Sequence, residues 1–376
     1  MKRVFLIADN IVSPFGLSST DNFSEITKGN TNVRLHEAGA RSPKAFYSAL
    51  FTDEFWQQNM IPSFTRFESL LALSIKDALS NADIHPADGK TGLIISSTKG
   101  NISLLEENEI SDSLKNEISL GSSAQKIARH FGFSAKPVIV SHACISGLVA
   151  LITAKRMLQA GLYEHIVVAG ADLITRFVLS GFQSFQAVSD EPCRPFDAAR
   201  KGINLGEAAA TMILSVYQPS QNIVELKGSG ISNDANHISG PSRTGQELFM
   251  AIDRAMKEAK SEPAQIDFVS LHGTATLYND DMESKAINLA GLQSVPVNSL
   301  KGFYGHTLGA AGLVESVISV HALRENLLIP TKGFEMPGTA ENINVCSTLR
   351  QAALKTCLKT ASGFGGCNAA VVWEKG

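Results

Sequence analysis

One order of strand and helix patterns runs through this chain twice, and that repeat limits the possible folds more than any single motif does. Strand-like Val4–Ala8 has its counterpart in Ile223–Gly230. A helical period at Ser69–Asn81 recurs at Glu247–Lys260, and strand Thr91–Ser96 recurs at Ile266–Leu271. Pro137-Val138-Ile139-Val140-Ser141 leads through a loop into the helix Ile145–Ala160. Val295-Pro296-Val297-Asn298-Ser299 leads through a glycine-rich loop into Ala310–Glu325. His165–Gly170 then answers to Thr356–Ser362, and Ala208–Val216 to Asn368–Trp373. Strand runs alternating with helical periods predict an α/β fold with mostly parallel strands. Five strands matched in order predict a duplication. The polar, proline-containing stretch Tyr217–Asn222 marks the join, giving halves at residues 1–218 and 219–376.

The first half carries extra chain. Ile174–Gly206 holds Gly, Pro and aromatic residues without a clean period, and an irregular insertion of that length predicts a lid or an interface. The helix Ile145–Ala160 is apolar on most faces (Leu148, Val149, Leu151, Ile152, Met157) and belongs at the centre of the molecule. Hydrophobic residues make up 44% of the 376 and charged residues 18%, enough for a large core, which excludes disorder as the main state. A net charge of −3 argues against a broad nucleic-acid surface. Apolar stretches such as Ile166–Ala169 are too short to cross a bilayer. Val4–Ala8 after Met1-Lys2-Arg3 is cut off by Asp9 and Asn10, short of the roughly 7–15 apolar residues of a secretory signal, so a cytoplasmic protein is expected. Five cysteines without a C-x-x-C pair suggest neither a disulfide framework nor a zinc site.

The chemistry collects at four strand ends. Cys144, in Ser141-His142-Ala143-Cys144-Ile145-Ser146-Gly147, stands at the start of the central helix. The positive end of the helix dipole there would lower its thiol pKa, and unpaired N–H groups could bind an oxyanion. A small buried hydrophobe is an equally open reading of that segment. His272 is delivered by a strand into Gly273-Thr274-Ala275-Thr276, with Asp280 and Glu283 at the following helix start. The third loop, Asn298 to Gly312, brings Lys301 and His306 beside a helix that carries Glu315. It lacks the G-K-[ST] ending of a phosphate loop. The fourth is the tight turn Gly363-Phe364-Gly365-Gly366, one aromatic in a glycine frame. Ligands of α/β sheets bind at the carboxyl ends of parallel strands. One cysteine and two histidines at that edge make a nucleophile with two polar partners. No carboxylate or second thiol sits at ligand spacing, so no metal is implied.

Together these motifs resemble the β-ketoacyl-acyl carrier protein synthases, condensing enzymes of the thiolase superfamily. The resemblance runs from Val12-Ser13-Pro14-Phe15-Gly16 to the C-terminus. It rests on Ala143–Gly147, Arg194-Pro195-Phe196-Asp197 with Gly206-Glu207, Ser232–His237, His272–Thr276, Lys301–Gly312 and Gly363–Gly366. It implies a duplicated thiolase-like fold, two pseudo-symmetric halves of mixed sheets layered with helices as αβαβα. The implied reaction is a decarboxylative Claisen condensation in fatty acid, polyketide or aryl-polyene-type biosynthesis. Cys144 would carry the acyl chain, and His272 and His306 would hold the malonyl carbonyl. Lys301 would organise the histidines, paired with Glu283 and Glu315 and supported by Asp280. Thr274 and Thr276 would bind the pantetheine arm. The N–H groups of Cys144 and Phe364 would form the oxyanion hole, with Phe364 as a gate. Acyl carrier protein would be the partner and bring the phosphopantetheine, so no cofactor of the chain's own is implied. Neither nucleic acid nor membrane is expected as a partner, and the protein would be a homodimer or pair with a related ketosynthase.

The sequence departs from that pattern at Ala275 and Ala208, where the family commonly has Gly, and at Lys201 and Ile203, which replace an acidic and an aromatic residue. Two other readings remain: a non-condensing partner subunit of the chain-length-factor kind, and a cysteine hydrolase or acyltransferase. Retention of Cys144, Lys301 and both histidines speaks against the first, and the second histidine motif against the second. Arg66 and Arg176 are candidates for docking an acidic carrier protein, whereas Arg194 is expected to pair internally with Asp197.

Overall fold

The computed structural model describes residues 2–235 and 240–376. Asn236 and His237, part of one motif above, lie outside the described residues. Strands of the first half are β1 (Phe5–Val12), β2 (Thr91–Ser96), β3 (Val138–Val140), β4 (His165–Asp172) and β5 (Ala208–Ser215). Those of the second are β6 (Val224–Asn233), β7 (Phe268–Ser270), β8 (Pro296–Asn298), β9 (Asn344–Val345), β10 (Thr356–Gly363) and β11 (Cys367–Lys375). Their order across the sheet is β9-β8-β7-β10-β11-β6-β1-β5-β4-β2-β3. Outward from the centre the first half reads 1-5-4-2-3 and the second 6-11-10-7-8, the matched strands of the repeat in matched places, with β9 added at one edge. Within the sheet the halves meet at one ladder pair, Phe5 opposite Glu225.

The principal helices are α1 (Arg66–Ser80), α2 (Leu120–Phe131), α3 (Ser146–Gln159), α4 (Arg176–Ser184), α5 (Gln246–Ala259), α6 (Leu277–Leu289) and α7 (Ala311–Glu325). Alternation along each strand sends neighbouring side chains to opposite faces, and here both faces are covered. Ile166 and Val168 of β4 join Leu151 and Ile152 of α3 and Val317 and Val320 of α7 in the inner core, with Leu226 and Val371 from the other half. Val167 and Ala169, one residue out of phase, meet Leu71 and Ile75 of α1 on the outer face. Val269, Leu358 and Val372 meet Leu248 and Ile252 of α5 and Ile287 of α6 on the opposite outside. The layers are therefore αβαβα with α3 and α7 in the middle, as the apolar faces of Ile145–Ala160 predict.

The expectation of mostly parallel strands needs correction. β2, β3 and β4 run parallel, as do β7, β8, β9 and β10. The remaining pairings, through β1, β5, β6 and β11, are antiparallel. The tight turn at Phe364 closes a hairpin and so reverses the chain, and alternating strand and helix patterns do not register that. The insertion also differs from its aperiodic reading, because Thr175 caps α4 through its hydroxyl and starts a nine-residue helix. No helix among the described residues is long and apolar enough to cross a membrane.

Candidate active site

The turn before α3 builds the position of Cys144, the candidate nucleophile. Ser146 Oγ donates to the Ala143 carbonyl at 2.6 Å and accepts from the His142 N–H at 2.8 Å. These bonds hold Ala143 at φ +45°, left-handed backbone that only a constrained turn imposes on alanine. Cys144 is thereby set at the helix entrance, 8% exposed. The expected low thiol pKa does not result. Burial pushes the Cys144 thiol up to about 11, against the downward pull of the Lys301 charge and of a hydrogen bond from the Phe364 N–H. Desolvation of the thiolate outweighs the helix start, so Cys144 is a thiol near neutral pH and would need a proton acceptor to act as a nucleophile.

Two histidines supply candidates. Cys144 Sγ and one nitrogen of each of His272 and His306 all lie within 4.8 Å of one another. The two rings meet edge to face, centroids 5.0 Å apart at 87°. Burial, then the charge of Lys301, holds both imidazoles well below the usual histidine range, so both are neutral. Lys301 Nζ donates to the His272 carbonyl at 2.6 Å and lies 3.3 Å from its Nδ1. An ammonium only donates, so the proton of His272 sits on Nε2. Among the described residues, neither nitrogen of His306 has a hydrogen-bond partner. The three donor atoms are close enough to share a metal ion. The set nevertheless fits a resident dication poorly, because a buried ammonium already touches one ring and only the thiol could become anionic.

Behind the pocket, Lys301 is fully buried and pairs with Glu315 Oε1 at 2.6 Å. Glu283 does not touch Lys301. Its two oxygens accept the N–H groups of His272 (2.7 Å) and Gly273 (2.6 Å), so it orients the histidine through the backbone. Asp280 accepts from the N–H groups of Thr274 (3.0 Å) and Phe196 (2.7 Å). Burial and the neighbouring Glu283 raise its carboxyl to about 7. Ala275 sits at φ +60°, which accounts for the glycine expected there. The hydroxyls of Thr274 and Thr276 contact each other at 2.8 Å.

A cavity of about 480 Å³ brings Cys144, His272, His306, Thr274, Thr276 and Phe364 onto one wall system. Lys301, Glu283, Glu315 and Asp280 lie beneath it. Phe364 stacks on Phe182 (5.6 Å) and meets Phe185 (5.4 Å), both from the insertion, which therefore forms part of the pocket. Lys201 and Ile203 line it too. Arg66 stacks over Trp56 at 5.1 Å, away from the cavity lining. Arg194 pairs with Glu335 at 3.6 Å rather than with Asp197, which accepts the N–H groups of Ala199, Glu335 and Met336. Sequence reasoning placed Phe182 and Phe185 in a lid or interface without assigning them to the pocket, and passed over Lys359, a fully buried lysine 2.6 Å from Glu315 Oε2. Its signal was present: one lysine in the apolar strand Thr356–Ala361 requires a buried counter-charge.

Residues 16–219 match the family described as Beta-ketoacyl synthase, N-terminal domain, and residues 223–335 match its C-terminal domain. The 3-oxoacyl-[acyl-carrier-protein] synthase 2 of Vibrio harveyi is 34% identical over 261 residues, covering 65% of this chain and 63% of that protein. A Schizosaccharomyces pombe relative named for the same activity is 27% identical over 423 residues, 100% of this chain and 99% of its own. Among solved structures, a ketosynthase in complex with its chain length factor from Xenorhabdus doucetiae superposes with a TM-score of 0.85 at 25% identity, covering 100% of this chain and 98% of that one.

Proposed function

The chain belongs to the β-ketoacyl synthase family, condensing enzymes of the acyltransferase type, and from that premise we propose how its residues divide the reaction. Cys144 attacks the carbonyl of an acyl thioester. Its proton passes to the unpartnered imidazole of His306 and on to the departing pantetheine thiolate, leaving the acyl group on sulfur. A malonyl thioester then enters past Thr274 and Thr276. His272 Nε2–H and His306 donate to its carbonyl oxygen as the bond to the carboxylate breaks, carbon dioxide leaves, and the electron pair forms an enolate. The enolate carbon attacks the acyl carbonyl. The N–H groups of Cys144 and Phe364 hold the resulting oxyanion, which collapses and expels the Cys144 thiolate to be reprotonated.

The observation that carries this reading is the meeting of one thiol and two neutral imidazoles in a single cavity, with Lys301 fixing the tautomer of one ring. The chemistry requires no metal or organic cofactor of the chain's own. The phosphopantetheine arm comes with an acyl carrier protein, the partner named in the activity of the Vibrio harveyi relative. A homodimer, or a heterodimer with a related chain as in the Xenorhabdus doucetiae complex, is the assembly we favour, acting in the cytoplasm. Incubation with acyl- and malonyl-carrier proteins, followed by mass measurement of the product, tests the reading. A ketoacyl product two carbons longer is expected. A free acid would make the protein a hydrolase, and no product from the chain alone would make it a subunit that needs its partner.

A further inference from the structure

We propose that Lys359 is a positioning residue for the histidine pair, anchoring Glu315 from the side opposite Lys301 and setting a second buried ammonium behind the two rings. The inference rests on the condensing-enzyme reading of the site. Lys359 stands on β10 directly across from Ser270 of β7, the strand that delivers His272. It points inward, while its neighbour Thr360 points outward to Glu283. Its Nζ donates to the carbonyls of Ser270 and Leu271, 3.2 Å each, and lies 2.6 Å from Glu315 Oε2. That last contact places the second oxygen of the carboxylate against the Lys359 ammonium. Glu315 Oε1 holds Lys301, which holds the carbonyl and Nδ1 of His272.

One carboxylate thus bridges two ammoniums with no access to solvent or substrate. Burying an unpaired ammonium in an apolar strand is costly, so a lysine here is expected only where its charge serves the cluster. Two consequences follow. With Oε2 occupied by Lys359, Glu315 engages Lys301 through one oxygen only, and Lys301 is left to reach His272 Nδ1. The charge of Lys359 also disfavours a proton on either ring, acting with burial and Lys301 on both. The titratable groups around the rings are Cys144 from the turn before α3, Asp280 and Glu283 from α6, Lys301, Glu315 from α7 and Lys359 from β10.

The test is the rate of Cys144 acylation by an acyl-pantetheine thioester, followed from pH 5 to 9. Removing the ammonium makes ring protonation easier, and a protonated His306 cannot accept the thiol proton. In Lys359→Met the acid limb should therefore move to higher pH by about one unit, a roughly tenfold loss of rate on that limb. Lys359→Arg, which keeps the charge, should keep the original limb. An unmoved limb in Lys359→Met, whatever its plateau, overturns the proposal and leaves a purely structural ion pair. Should that variant not fold, histidine ¹⁵N spectra of Lys359→Gln and Lys359→Arg beside the unmodified protein decide. A ring that takes its proton at higher pH in Lys359→Gln but not in Lys359→Arg supports the proposal; rings that titrate alike in all three overturn it. If the unmodified protein accepts no acyl group at all, the functional reading fails, while the spectra still judge Lys359.

Discussion

Cys144 is the only one of the five cysteines that lines the cavity, and its thiol is held up at about 11. Iodoacetamide should therefore label Cys144 first, with a rate that climbs about tenfold per pH unit between pH 7 and 10. Peptide mapping that finds Cys193 or Cys367 labelled first would remove Cys144 as nucleophile, and a rate already flat at pH 8 would reveal a stable thiolate. For the histidines, replacement of His272 or His306 by Ala should slow malonyl decarboxylation about 100- to 1000-fold, the usual cost of a lost oxyanion donor. Unchanged carbon dioxide release in both variants would end their proposed role. At this scale the convergence of Cys144, His272 and His306 was legible because each stands just after a strand, among small residues. The thiol's pKa was not, because the local helix start is visible in the sequence while the desolvation by distant segments is not. Lys359 escaped for the same reason: its partner Glu315 is 44 residues away on another element, and only the packing of β10 on α7 brings the two together.

The central helices α3 and α7 cross where glycine lets their backbones touch. A Cβ on Gly147 would come within 2.8 Å of the Leu313 nitrogen, and one on Gly312 within 2.7 Å of the Leu148 nitrogen. Each half of the repeat thus contributes one glycine to the same crossing. Backbone cannot yield as a side chain tip can, so Gly147→Ala or Gly312→Ala should destabilise the protein by about 1–3 kcal/mol, measured by denaturant unfolding. Cys144 and His306 flank this crossing, so acylation should fall as well. Stability and acylation both unaffected would show that the helices separate at little cost. Element existence and order were legible from periodicity, and the starts of α1, α3, α5 and α7 fall within three residues of their expected places. Strand direction was not, because a hairpin and a crossover leave the same apolar run in the sequence, and only the turn at Phe364 distinguishes them. The helix in the insertion was missed because its nine residues are too few to show a period.

Across the whole molecule, one ion-pair cluster bears on stability and one strand edge on the proposed assembly. Asp9 of β1 accepts from His321 (2.8 Å) and Arg324 (3.0 Å) of α7, tying the halves together. Those partners outweigh burial and lower its carboxyl from 3.8 to about 2. A depressed carboxylate stabilises fully above its unfolded pKa, and that contribution fades as pH falls from about 4 toward 2. Asp9→Asn should therefore cost about 2 kcal/mol at pH 7 and almost nothing near pH 2; a cost independent of pH would refute the charge argument. The proposed homodimer would form at one end of the sheet. Among the described residues, β3 pairs with β2 on one side and with no strand on the other. Ile139 on that edge is 39% exposed. A bare, apolar edge strand invites pairing with another chain, and a two-fold axis satisfies both copies at once. The strand leads directly into the turn bearing Cys144, so pairing there would also brace that turn. Light scattering at micromolar concentration should give about twice the chain mass of 40.2 kDa. Ile139→Lys, which sets like charges facing across the axis, should shift that mass toward one chain and slow acylation. A single-chain mass for the unmodified protein would contradict the homodimer and leave a related chain as the partner at this edge, whereas an unshifted dimer in Ile139→Lys would move the interface elsewhere.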